Sequence, residues 1–141
     1  ISDFVPGAVE KMLLENRDHE VLVIEGQGSL IEPSYSGVTL GLMHGSAPQA
    51  MVLVHQAGRR TLIHHDEVTI PPLPELIELH ERVMAPLFPS RVIGIALNTV
   101  GLDEASARRA IQEAEAQTGL PTTDVVRFGP RRLVEAVEAL L

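Results

Sequence analysis

The polar residues in this chain that could do chemistry follow apolar runs with the composition of buried strands. Glu25 comes directly after Val21–Ile24 and precedes Gly26-Gln27-Gly28-Ser29. The two glycines allow a sharp turn and a close approach of the backbone to a ligand. A carboxylate at the end of an apolar strand is costly unless it is paired, hydrated or bound to a metal. Glu25 is therefore either a magnesium or substrate ligand or a carboxylate that reaches solvent or a backbone amide, and the spacing leaves both open.

Two later strand ends carry polar groups of the same kind. His55-Gln56 follow the apolar run Met51–Val54, and Asn98 follows Val92–Leu97. The carboxyl ends of parallel strands meet at one edge of a sheet, where ligands bind in open α/β folds. We therefore expect Glu25, His55 and Asn98 at the same edge, with Glu25 and His55 as candidate catalytic residues and Gln56 as a candidate substrate contact. The alternative is that polar residues merely end these strands.

The apolar runs alternate with segments of helical periodicity, which indicates an α/β fold. The predicted strands are Val21–Ile24, Met51–Val54, Val92–Leu97 and Asp124–Arg127. Three of the predicted helices are Ala8–Asn16, Pro74–Met84 and Leu133–Leu141. A fourth lies within Gly37–Gly45 and ends before Gly45. A fifth begins after the N-cap Asp103 and runs to Thr118, where Gly119 ends it. Residues 59–74 are expected to be an irregular, extended connection. We expect a single α/β domain over residues 1–141, in which a mainly parallel sheet is flanked by helices in three layers.

Other kinds of site are excluded or disfavoured. His64-His65-Asp66-Glu67 could ligate a metal, but adjacent residues converge poorly on one ion, so a solvated loop is favoured. The sequence contains no Gly-x-x-x-x-Gly-Lys-Ser/Thr phosphate loop, no Gly-x-Gly-x-x-Gly dinucleotide motif and no Gly-x-Ser-x-Gly nucleophile elbow. It also has no cysteine, which excludes disulfides and thiolate metal sites.

Composition and charge narrow the possible partners. The chain has 141 residues, with 11 basic and 19 acidic side chains and a net charge of −8. This balance, with only 3% aromatic residues, argues against a nucleic-acid-binding surface. No apolar run approaches the roughly 20 residues that cross a bilayer, and Ile1-Ser2-Asp3-Phe4 is not a basic leader. We expect a cytoplasmic protein with a small-molecule substrate and no membrane partner.

Three stretches of the sequence resemble one bacterial family. They are Glu25-Gly26-Gln27-Gly28-Ser29-Leu30, Pro33-Ser34-Tyr35-Ser36-Gly37-Val38-Thr39-Leu40-Gly41-Leu42 and His44-Gly45-Ser46. The segments Val92–Thr99 and Thr118–Pro121 also fit. Together they are similar to the C-terminal P-loop domain of a family formerly known only as a domain of unknown function, with D-glutamate N-acetyltransferase as a named branch. The resemblance covers nearly the whole chain.

The resemblance implies an N-acetyltransferase of D-amino-acid metabolism that uses Mg²⁺ and ATP or acetyl-CoA. A more distant likeness is to dethiobiotin synthetase-type P-loop enzymes, in which one strand ends in Glu-Gly-x-Gly and a later strand ends in Asn. Carried over by matching motif, Glu25 would hold magnesium, Asn98 would contact the adenine base, and Gly26-Gln27-Gly28-Ser29 would line the phosphate or substrate side. Ser34 and Tyr35 lie in the matching stretch and are candidate substrate contacts.

The phosphate loop of the family, with its lysine, does not occur in this sequence, where Lys11 is the only lysine. The chain therefore resembles the later part of a P-loop-like domain of a longer protein, and we expect residues 1–141 alone to bind no cofactor tightly. We also expect an unpaired sheet edge that leads to a homo-oligomer or pairs with the missing N-terminal segment. The alternative function is a non-catalytic nucleotide-binding or assembly module.

Overall fold

A computed structural model describes residues 3–26 and 29–141 of the chain, and helices flank a parallel sheet within them. The helices are α1 (Phe4–Glu15), α2 (Ser36–Ser46), α3 (Leu73–Met84), α4 (Glu104–Thr118) and α5 (Arg131–Glu138). The strands are β1 (Ala50–Gln56), β2 (Thr61–Leu62), β3 (His65–Thr69), β4 (Arg91–Asn98) and β5 (Thr122–Thr123). The order β1-β4-β5 is parallel throughout, whereas β2 and β3 form a separate antiparallel hairpin. This arrangement confirms the predicted α/β class.

The main core lies between the sheet and helices α3 and α4. Its buried members are Leu53 from β1, Val92, Ile95 and Leu97 from β4, Leu73 and Leu76 from α3, and Ile111 and Ala114 from α4. Both ends of α4 were correctly predicted from the sequence. The Asp103 side chain accepts a hydrogen bond of 2.7 Å from the Ser106 amide, and Gly119 ends the helix at φ +70°. These caps fix the helix that covers the carboxyl half of β4.

Helices α1 and α2 pack closely against each other because glycines of α2 face the start of α1. A Cβ atom at Gly41 would lie 3.2 Å from the Val5 side chain, and one at Gly45 would lie 2.7 Å from the Pro6 Cα atom. The prediction that Gly45 follows the helix is therefore wrong. The helix continues to Ser46, and Ala47 caps it in the left-handed conformation at φ +40°. Gly45 serves helix packing and not helix termination.

The prediction of an opening strand at Val21–Ile24 is wrong. Residues 21–26 have no regular secondary structure, and all four apolar side chains of the run are exposed, with Val23 at 94%. A strand requires a neighbouring strand that satisfies its backbone hydrogen bonds, and no described strand pairs with this run. The apolar composition alone was therefore insufficient to form the strand.

The predicted strand Asp124–Arg127 is also wrong, because these residues form a turn after the short β5. The Asp124 carboxylate accepts hydrogen bonds from the Val126 and Arg127 amides at 3.1 and 3.0 Å. Aspartate side chains compete in this way with the hydrogen bonds of regular strands. The two valines that suggested a buried strand are exposed, Val126 at 94%.

Two further boundaries differ from the predictions. Helix α1 begins at Phe4, and not at Ala8, because Pro6 lies in the first turn, where a missing N–H costs nothing. The connection predicted to be extended contains the β2–β3 hairpin, whose turn places His64 at φ +66°. None of the helices in the described ranges has the length and apolar content needed to cross a membrane.

Candidate functional site

Three of the predicted site residues lie together at the carboxyl ends of β1 and β4. In the parallel register, His55 is opposite Leu97 and Gln56 is opposite Asn98. The pairing continues by one residue, since the Ala57 amide donates to the Asn98 carbonyl at 2.9 Å. The predicted placement of His55 and Asn98 at one sheet edge is therefore confirmed, although their roles are not tested by it.

A cleft of about 600 Å³ opens at this edge. His55 and the turn after β1 form one side, residues 69–73 form another, and the middle of α4 closes the third. Much of its wall is apolar, and its volume falls in the range of small-molecule sites. A second cleft of about 400 Å³ shares the turn after β1 and adds Gln56 and Asp66. The carboxyl edge of the sheet thus offers two adjoining spaces for a ligand.

His55 is the titratable group best placed for proton transfer in the larger cleft. Its side chain is half-buried. Burial, followed by the nearby positive charge of Arg59, lowers the pKa of the His55 imidazole below its ordinary value. The imidazole is therefore neutral at neutral pH and can accept a proton.

Arg59 and Arg60 lie on the turn that follows β1 and line both clefts. The turn closes with a 3.2 Å hydrogen bond from the Arg59 amide to the Gln56 carbonyl, and Gly58 has the left-handed φ of +75°. Among the described residues, neither guanidinium takes part in an ion pair. Two adjacent cations at a strand-end cleft create an anion-binding surface.

The loops after β4 and β5 are tied together by the buried carboxylate of Asp124. One of its oxygens accepts a 3.0 Å hydrogen bond from the Thr99 amide and a second hydrogen bond from the Thr99 hydroxyl. Burial opposes ionisation, but the hydrogen bonds from Thr99, Arg127 and Val126 outweigh it and lower the pKa of the Asp124 carboxyl. Next to this linkage, the Asn98 side-chain oxygen accepts from the Val100 amide at 2.9 Å. Asn98 is therefore held at the edge by its own turn.

Glu25 and Gly26 are not part of the sheet edge. Glu25 is exposed in the irregular segment 21–26, so its predicted position at the end of a strand is wrong. Gly26 packs beside α2, where a Cβ atom would lie 3.5 Å from Leu42, and it is not among the described glycines with a positive φ. Gln27 and Gly28 lie outside the described residues. Their predicted roles in cofactor binding stay predictions.

The remaining predicted residues lie on the loop before α2 and line neither cleft. The Ser29 hydroxyl accepts from the Ile31 amide at 3.3 Å, and the Ser34 amide donates to Glu32 at 3.3 Å. Tyr35 is 52% exposed just before the helix. The loop reaches the β2–β3 hairpin through Glu32, whose carboxylate lies 3.4 Å from His65 Nε2.

The described His, Asp and Glu side chains are not arranged to bind a metal ion by themselves. Within residues 3–26 and 29–141, no three His, Asp or Glu side chains are grouped so that they could hold an ion. In His64-His65-Asp66-Glu67, the His65 imidazole contacts Glu67 at 3.2 Å on one side and Glu32 on the other. Glu25 alone fits only an ion such as Mg²⁺ that keeps several waters and binds through one carboxylate and the phosphates of a substrate.

Sequence reasoning missed the two residues that give the cleft its charge. Arg59 and Arg60 are not among the site residues predicted from the sequence. Their position directly after a strand end and a glycine was the available signal. Asp124 was missed because it was assigned to a strand, and its role depends on a contact with Thr99, which is distant in sequence.

Comparison with known proteins identifies similar chains. A D-glutamate N-acetyltransferase from Tritonibacter scottomollicae is 38% identical over 144 residues, which covers 99% of this chain and 42% of that protein. A D-glutamate N-acetyltransferase from a Pseudoalteromonas species is 33% identical over 138 residues, covering 95% of this chain and 41% of that protein. The chain therefore spans about two fifths of the length of these curated relatives.

A solved structure and a family model agree with these matches. The crystal structure of a DUF1611 family protein from Anabaena variabilis superposes with a TM-score of 0.93 at 48% identity, covering 97% of this chain and 41% of that one. The family model described as the P-loop domain of a domain of unknown function, DUF1611_C, matches residues 1–134. The agreement confirms the resemblance seen in the sequence: the chain belongs to the DUF1611 family, as its C-terminal P-loop domain.

Proposed function

We propose that the polypeptide containing this chain transfers an acetyl group from acetyl-CoA to the amino group of D-glutamate. The observation that best supports this proposal is the half-buried, neutral His55 in a cleft at the carboxyl edge of the sheet. An amino group attacks a thioester only after it loses a proton, and a neutral imidazole is a suitable base. The names of the two curated relatives supply the substrate and the acyl group.

The reaction needs one proton acceptor and a water-poor site. The His55 imidazole removes a proton from the substrate ammonium, and the freed electron pair of the nitrogen attacks the thioester carbonyl carbon. The tetrahedral intermediate then loses the second proton of its nitrogen to solvent and breaks its carbon–sulfur bond, and the leaving thiolate takes its proton from the His55 imidazolium. Ile70, Leu73 and Leu97 give the cleft an apolar section of wall, beside which a bound thioester would be shielded from hydrolysis.

The cofactors are proposed from the family resemblance. Acetyl-CoA and ATP both contain adenine, so the exposed Asn98 at the end of β4 is the proposed base contact for either one. Gly26-Gln27-Gly28-Ser29 are proposed to line the phosphate side. If magnesium accompanies the phosphates, Glu25 supplies one carboxylate to it. Ser34, Tyr35 and Gln56 are proposed as contacts to the rest of the ligand.

The proposal is tested with the full-length polypeptide, D-glutamate and acetyl-CoA, by measuring thiol release with and without ATP and Mg²⁺. We expect amino-acid-dependent thiol release in the wild-type protein. His55→Gln should lower kcat by about 10²- to 10⁴-fold, the usual contribution of a general base. His19→Gln is the matched control, because His19 is an exposed histidine outside the cleft.

The results also separate the alternative function, a nucleotide-binding or assembly module without chemistry. The match to a P-loop domain favours this alternative loosely, since such domains commonly bind nucleotides. Nucleotide binding without any thiol release would support the module. Equal activity in the two histidine variants would instead show that His55 is not the base.

A further inference from the structure

Five of the eleven cations of this acidic chain form ion pairs with glutamates, whereas Arg17, Arg59, Arg60 and Arg91 form none with a described residue. Four arginines form ion pairs with glutamates, namely Arg82, Arg108, Arg131 and Arg132. Arg127 donates to the Leu102 carbonyl and Arg109 to the Ser106 hydroxyl. By contrast, Arg59 and Arg60 are adjacent, both line the cleft beside His55, and neither is paired with a described acidic side chain. Two adjacent guanidinium groups without an acidic partner give the cleft a positive side that attracts an anion.

We propose that Arg59 and Arg60 bind the side-chain carboxylate of the substrate, and that they thereby select an amino acid with a second carboxylate. This inference rests on the proposed function for the identity of the reacting amine. Guanidinium groups present a planar fork of donors that matches the two oxygens of a carboxylate. The turn through Gly58 that precedes them places both residues in the lining of the cleft.

The rest of the cleft suits the other parts of such a ligand. Glu113 lines the same cleft from α4 and offers a negative charge to the ammonium group. Ile70 and Leu97 provide apolar contacts for the methylene groups between the charges. The cleft lining therefore includes both signs of charge together with apolar residues, as an amino dicarboxylate requires.

The experiment is calorimetric binding of D-glutamate and of D-glutamine to the full-length polypeptide. The two ligands have the same shape and differ in one carboxylate. We expect the wild-type protein to prefer D-glutamate, and the double variant Arg59→Gln/Arg60→Gln to lose about tenfold or more of its D-glutamate affinity, with little change for D-glutamine. Arg91→Gln is the matched control, because Arg91 is exposed at the opposite end of β4.

The outcomes are distinct for this inference and for the proposed function. Equal losses for both ligands, or no loss for D-glutamate, would overturn the arginine assignment even if thiol release is observed. Selective loss would support it even if no acetyl transfer is found, since binding is measured without turnover. If the double variant fails to fold by circular dichroism, the single variants and Arg59→Lys/Arg60→Lys provide the same comparison.

Discussion

At the scale of the residue, the buried carboxylate of Asp124 has the most clearly defined role. It accepts hydrogen bonds from the Thr99 and Arg127 amides, so Asp124→Asn should destabilise the protein by about 1–3 kcal/mol at pH 6. The pKa of the Asp124 carboxyl is lower in the folded protein than in the unfolded chain. The stability that the ionised carboxylate adds is therefore fully present at a pH above the pKa of the unfolded chain. It is lost as the pH falls toward the folded pKa. The stability difference between the two proteins should therefore shrink below about pH 4.

Urea unfolding of both proteins at pH 6 and pH 3 measures this difference. Asp18→Asn is the matched control, because Asp18 is exposed on the turn after α1 and its carboxylate is solvated in the folded and the unfolded protein alike. A stability difference for Asp124→Asn that is the same at the two pH values would contradict the ionised, hydrogen-bonded carboxylate. The loops after β4 and β5 would then be joined by packing alone.

At the scale of the element, the pair α1–α2 depends on a glycine where another residue would clash. A Cβ atom at Gly45 would lie within 3 Å of three backbone atoms of Pro6. Gly45→Ala should therefore cost about 1–3 kcal/mol of stability by separating the helices.

At Gly37 of the same helix nothing lies within 4 Å of the added methyl, so Gly37→Ala should be neutral or stabilise by up to about 1 kcal/mol. Thermal or urea unfolding of both variants compares them, and equal effects would contradict the packing role.

At the scale of the whole molecule, β1 is at the end of the sheet and no described strand pairs with its outer edge. Val54 on this strand is 74% exposed. Unpaired edges with exposed apolar residues favour association, so we expect residues 1–141 expressed alone to self-associate at micromolar concentration. Val54→Lys should shift the protein toward the monomer, since charge on an edge strand opposes pairing. Sedimentation velocity measures the shift.

The control for association is Val126→Lys, since Val126 is 94% exposed but lies on the turn after β5, away from the free edge of β1. If both lysine variants change association equally, general charge repulsion and not edge pairing is responsible. In the full-length polypeptide we propose that the remaining sequence, or a second copy, covers this edge.

The sequence alone determined the features that depend on near neighbours. The strands around Met51–Val54 and Val92–Leu97 were predicted correctly because their apolar residues are continuous and are bounded by polar groups. The ends of α4 were predictable because caps act within one turn of the helix. The family was also recognisable, since the stretch from Glu25 to Ser46 has a specific pattern.

Only the tertiary structure decided the features that depend on distant partners. Val21–Ile24 has the composition of a strand but no described neighbour to pair with, and the hydrogen bond from Thr99 to Asp124 joins residues that are 25 positions apart. The cleft arises where the turn after β1 meets α4, which brings Arg59 near residues more than 50 positions away. A local sequence pattern contains no information about such contacts. Whether a residue pairs, becomes buried or has its charge neutralised depends on the segment that the fold places next to it.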